Sequence, residues 1–96
     1  MHANKLIYLR LRDMLHVSNG RMASMMGVSE ETARAYGNPS NVRHPSIARL
    51  RQPIVESGKL FRDLQADAEI KPIVSTDDLE RMADRLIEKL KSEAAQ

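Results

Sequence analysis

Residues 21–37, RMASMMGVSEETARAYG, carry the local signals that decide how this 96-residue chain folds. Ala23, Met26 and Val28 supply apolar contacts up to and at a bend, and Gly27 can take the positive φ that ends a helix in a left-handed cap. Ser29 follows as the N-cap of a second helix, its hydroxyl placed to accept a backbone N–H from two or three residues further on. One helix therefore stops and another starts within Gly27-Val28-Ser29. In the second helix Glu30 and Glu31 complement the positive end of the dipole, while Ala33 and Tyr36 share a face at i, i+3. That spacing turns Thr32, Arg34 and Ala35 outward. Small residues at Ala23 and Ala33 let the two helices cross closely, as a steep crossing through a tight turn requires.

Upstream, Asn4 is read as the cap of a first helix, with Leu6, Leu9, Leu11, Met14 and Leu15 at helical spacing. Loose alternation in LIYLRLR leaves a strand as the alternative, and helix is preferred. Ser18-Asn19-Gly20 forms the turn that separates this helix from the motif. Downstream, GNPSNVRHP predicts a surface loop with defined turns. Pro45 suits the first turn of a further helix carrying Ile47, Leu50, Ile54 and Val55. Pro53 is expected to break or kink that helix and Gly58 to end it. A following turn or two is expected to bury Leu60, Phe61 and Leu64.

IKPIVST interrupts the helical pattern, so residues 70–75 are read as a linker or short extended segment. Ser75 or Thr76 then opens the clearest helix of the chain, acidic at its start and basic towards its end. Leu79, Ala83, Leu86 and Leu90 follow the spacing of a coiled-coil seam, with Met82 and Ile87 beside it. A homodimer through this seam is the preferred reading, and folding back on the chain's own core is the alternative.

With 42% hydrophobic residues, one Phe, two Tyr and no Trp, the composition provides for one small core of Leu, Ile, Val and Met. No Cys is present, which excludes disulfides and thiolate metal sites and suits a reducing cytoplasm. Arg10, Arg12 and Asp13 interrupt the apolar residues near the start, so neither a signal peptide nor a membrane span is expected. The net charge of +2 conceals a division: ten Lys and Arg against four acids through Arg62, then five against nine from Asp63 onward. A basic first part suits a polyanion; the acidic remainder would point away from it. Nothing in the pattern suggests catalysis. There is no nucleophile motif or phosphate-cradling glycine loop, and His2, His16 and His44 lack the spacing and nearby acids of a metal or acid–base site.

Ala23, Gly27, Val28 and Ser29, with Ala33 and Tyr36, resemble the helix-turn-helix regulators of temperate bacteriophages, of the Cro, CI and CII types. The following NPSNVRHPSIARL looks like the Asn-Pro linker and next helix of the CII type. The resemblance implies a helix-turn-helix DNA-binding domain; taken with the helical pattern along the chain, the reading is an all-α fold, with a DNA-binding domain of four to five helices over residues 1–69 and the seam helix over 76–96 as a dimerisation helix. It implies a cytoplasmic transcriptional regulator, placing one recognition helix per subunit in the major groove of a double-stranded operator. Arg34 becomes the candidate for a bidentate guanine contact, with Thr32 second and Glu31 a candidate acceptor from cytosine. Arg21, Ser29, Asn38, Arg43, Arg49 and Arg51 are the candidates for phosphate contacts. No cofactor, metal or small-molecule ligand is expected. The competing expectation is a protein-interaction module, antitoxin-like or anti-repressor, using Met22, Met25 and Met26 as adaptable apolar contacts.

Overall fold

Each helix start in the chain is marked by a side chain that accepts a backbone N–H. The computed structural model describes residues 1–71 and 75–95, and these form five helices with no strand among the described residues. They are α1 (Ala3–Leu15), α2 (Asn19–Met26), α3 (Glu30–Gly37), α4 (Ile47–Asp67) and α5 (Thr76–Ala94). The all-α expectation holds. Residues 72–74, half of the segment read as a linker or strand over 70–75, lie outside the described residues.

At the α2–α3 bend Gly27 has φ +70°, and Ser29 Oγ accepts from the Thr32 N–H at 3.1 Å. Ser18 caps α2 through the Arg21 N–H, and Ser46 caps α4 through the Arg49 N–H. The cap of α1 is His2, whose Nδ1 accepts from the Asn4 N–H; Asn4 itself lies inside the helix and donates through Nδ2 to Pro45 O at 2.8 Å. In α5 the N-cap Ser75 and Asp78 exchange bonds as a capping box, whose backbone hydrogen bond holds the Asp78 carboxyl below the usual carboxylate range.

One core joins the helices. Ile7, Tyr8 and Leu11 of α1, Met22, Ala23 and Met26 of α2, and Ala33 of α3 meet Leu50, Ile54 and Val55 of α4 and Ala83, Ile87 and Leu90 of α5. Of the α1 residues expected to pack, Leu11 is buried and Leu9 and Leu15 lie against the core, while Leu6 and Met14 are on the surface and Ile7 and Tyr8 are buried instead. Tyr8 is fully buried and donates its hydroxyl to Asn19 Oδ1 at 2.7 Å, tying α1 to the start of α2.

Helix α4 passes through both Pro53 and Gly58 without ending. Pro53 costs an internal hydrogen bond, but it is buried together with Leu50, Ile54 and Val55, and this packing outweighs the local preference. Gly58 serves the close crossing of α4 and α5, because a Cβ there would come within 2.5 Å of Leu79 Cδ2. The two helices run antiparallel: Arg51 meets Glu80 and Asp84, Gly58 meets Leu79, and Arg62 meets Thr76. Leu79, Ala83, Ile87 and Leu90, expected on a dimer seam, are thereby buried in their own chain. Of the six seam residues, Met82 is exposed and Leu86 half-buried. Leu60, Phe61 and Leu64 depart from expectation in the opposite sense and remain exposed on the second half of α4. No helix among the described residues is long and apolar enough to cross a membrane.

Gly58→Ala separates propensity from packing. Alanine in an exposed helix interior would stabilise by about 1 kcal/mol, whereas here it must displace buried Leu79. The variant is expected to melt lower than the parent, and the same change is expected to cost less in a Leu79→Ala background, where the obstructing side chain is gone; a higher melting temperature for the single variant would show the crossing to be loose. Burial pushes the Tyr8 phenol up from 10.0 to about 12, against the opposing pull of Arg12. The unfolded chain releases this proton first, so stability should fall as pH rises from 10.0 to about 12. Denaturant midpoints over that window should drop for the parent and drop less for Tyr8→Phe.

Candidate functional site

With about 100° between successive residues, α3 divides into a packed side and an outward arc. Ala33 is fully buried, and Tyr36 stands edge-on to Tyr8 with ring centroids 6.0 Å apart. Glu30, Arg34 and Glu31 occupy the arc, all exposed. Arg34 Nη2 lies 3.6 Å from Glu30 Oε1, an exposed i, i+4 pair of the kind that contributes only a few tenths of a kcal/mol and is readily exchanged for another acceptor. Ala35 departs from its expected outward position: it is buried, and its carbonyl accepts from Lys5 Nζ.

Thr32 lies at the far edge of the arc, about 160° from Arg34 by the same rotation. Its Oγ1 accepts from Ser29 Oγ at 2.9 Å and from Arg43 Nη2 at 3.1 Å. With both acceptor positions taken, the Thr32 hydroxyl keeps its own proton to donate outward. Ser29 is committed to the helix start: its oxygen accepts from Thr32 N and its proton goes to Thr32 Oγ1. The Ser29 hydroxyl, expected at a phosphate, therefore has no proton left to offer one.

Two arginines approach α3 from other parts of the chain. Arg43 comes from the loop, where Asn41 Oδ1 accepts the Arg43 N–H at 2.9 Å and Asn38 Oδ1 accepts the Ser40 N–H at 3.0 Å. These turns use the amide oxygen of Asn38 and leave its amide protons as donors. Arg49 comes from the first turn of α4, and its Nη1 donates to Met26 O, the last carbonyl of α2, at 2.6 Å. The cation thus sits at the negative end of the α2 dipole and beside Gly27, where a Cβ would lie 3.2 Å from Nη1. Arg34, Arg43 and Arg49 are all exposed around α3 and the bend that precedes it.

The remaining expected contacts lie elsewhere. Arg51 is held by Glu80 at 2.6 Å and Asp84 at 2.7 Å, joining α4 to α5, so its guanidinium is already neutralised by two carboxylates. Arg21 lines a shallow depression between α2 and the second half of α4, together with Glu56, Lys59 and Asp63.

Three features were not foreseen from the sequence. Lys5 is only 2% exposed, and its Nζ donates to Ala35 O and Arg43 O, each at 2.7 Å. Burial lowers its pKa from the usual lysine value. The one sequence signal was its place three residues before Tyr8, on the side of α1 that packs. His2 and His44 stack with ring centroids 3.6 Å apart, fastening the loop to the start of α1. Val42, next to Arg43, is 90% exposed. Among the described residues no cluster of three or more His, Cys, Asp or Glu could hold a metal ion. Compared with protein-family models, curated proteins and solved structures, the chain matches none.

Lys5→Met keeps the aliphatic stem and removes both donors. Leaving carbonyl acceptors without their partner costs about 1–3 kcal/mol, so urea unfolding should show a loss of that order. Amide hydrogen exchange should also quicken across residues 38–44 more than across α5; uniform protection would show that Lys5 does not hold the loop.

Proposed function

We propose that the chain is a sequence-specific double-stranded DNA-binding transcriptional regulator whose α2–turn–α3 unit acts as a helix-turn-helix, with α3 entering the major groove. The observation that carries this reading is the convergence of Arg43 and Arg49, from separate elements, on the surroundings of α3, where Arg34 is already exposed. A guanidinium beside a groove-sized helix offers paired donors to guanine or to phosphate.

Within this reading Arg34 exchanges Glu30 for the O6 and N7 of guanine. Thr32 donates its remaining hydroxyl proton, and Glu31, between them on the arc, accepts from cytosine N4. Arg43, Arg49 and the Asn38 amide protons hold phosphates, and exposed Val42 adds an apolar contact beside Arg43. Ser29 and Arg51 act indirectly, the first by starting α3 and the second by clasping α4 to α5. The acids of the outward arc keep non-specific attraction low, so selectivity depends on the match at Arg34. The chain binds its operator in pairs and has a regulatory rather than a catalytic role.

Titration against DNA fragments by fluorescence anisotropy at two salt concentrations tests the assignment. Arg34→Ala should cost about 1–3 kcal/mol on the preferred site and relax selection at one base pair, whereas Arg43→Ala should weaken all sites alike and lower the salt slope by about 1. An unaltered preference in Arg34→Ala would remove Arg34 from base reading. Absence of binding by the parent at low salt would refute the function itself.

A further inference from the structure

The second half of α4 carries an apolar stripe that the core does not use. Leu60, Phe61 and Leu64 are 48%, 62% and 56% exposed, and Phe61 is the only phenylalanine in the chain. Their spacing places them on one side of the helix. The antiparallel α5 passes along another side, where Gly58 and Arg62 meet Leu79 and Thr76. Leu15 at the end of α1 and Val17 just after it, with Met25 of α2, complete a groove of about 280 Å³ against the stripe. A run of apolar side chains this size on a small domain marks a contact surface.

The charges at the edge identify what covers it. Lys59 pairs with Glu56 at 3.7 Å, while Arg21 and Asp63 have no ion-pair partner among the described residues. Arg21 and Asp63 line the same depression, which is continuous with the groove through Met25 and Leu60. A nucleic acid or a partner of one net charge would satisfy one of the two and be repelled by the other. A second copy turned by a two-fold axis brings Asp63 to Arg21 and Arg21 to Asp63 together, the self-complementarity that an isologous dimer requires.

We propose that this surface is the homodimer interface, with the Leu60–Phe61–Leu64 stripes packed on each other and reciprocal Arg21–Asp63 pairs at the edge. The pairing rests on α4 rather than on the outer side of α5, and it assigns Arg21 to association instead of phosphate binding. It supplies the partner for the paired DNA binding proposed above, and it is tested without DNA.

Sedimentation velocity on the full chain should show a dimer, and Phe61→Asp should convert it to a folded monomer by circular dichroism. Arg21→Glu and Asp63→Lys should each weaken association roughly tenfold or more. An equimolar mixture of those two variants should recover association, because each mixed dimer restores opposite charges at both edges; a pair formed within one chain gives no recovery on mixing. Met82→Asp and Leu86→Asp should leave the dimer intact. A parent chain that stays monomeric, a dimer abolished by the Met82 or Leu86 change but not by Phe61→Asp, or failure of the mixture to recover would each overturn the proposal. A dimer that binds no DNA defeats the proposed function and leaves this interface standing, and a monomer that binds DNA does the reverse.

Discussion

An ammonium group with 2% of its residue exposed persists only where other dipoles replace the water it has lost. Lys5 meets that condition with Ala35 O and Arg43 O, at 2.7 Å each. The first belongs to the end of α3 and the second to the loop, so one buried cation fixes where the loop runs relative to the helix. The placement of Arg43 against the outward side of α3 depends on that relation. Arg43 reaches Thr32 because its own carbonyl is anchored beneath it, and the His2–His44 stack and the Asn4 bond to Pro45 hold the same loop to α1. A charge in the interior thereby positions charges at the surface.

The second organising constraint is the α4–α5 clasp. It decides what the apolar stripe on α5 is for, which the spacing of Leu79, Ala83, Ile87 and Leu90 could not. Periodicity establishes that a helix needs a partner without distinguishing a neighbour in the same chain from a twin. The distinction came from Gly58, which reads locally as a helix stop but whose missing side chain admits Leu79. Pro53 misleads in the same way, because local cost is visible in a sequence and the compensating burial of Leu50, Ile54 and Val55 is not. With α5 accommodated inside, Leu60, Phe61 and Leu64 of α4 remain outside, while Leu6, Met14 and Met82 lie on other parts of the surface.

What the sequence made legible is what short-range chemistry controls. The positive φ at Gly27 and the Ser29 cap lie where residue types placed them, because both depend on atoms within a few residues. Exposure of Arg34 followed from the packing of Ala33 and Tyr36, which share the opposite face of the helix at i, i+3. Longer-range choices were hidden. Arg51 and Arg49 are two residues apart and read alike as basic residues on a solvated helix, yet one finds two carboxylates on α5 and the other a carbonyl on α2. Polar groups near a turn are also used by the turn itself before any partner arrives, which is why Ser29 is consumed while Asn38 keeps only its amide protons.

The seat of Arg49 against the α2–α3 bend links two positions 22 residues apart in a way that bears on how such a chain can change. Any side chain at Gly27 would be strained by φ +70° and would crowd Arg49 Nη1 as well. Loss of Arg49 would in turn leave the Met26 carbonyl without its cation. Neither residue can be exchanged alone without passing through a less stable form, so the pair should be inherited as a unit. Positions 31 and 34, open on the surface and free of such ties to the core, are where new binding preferences can arise without disturbing the fold.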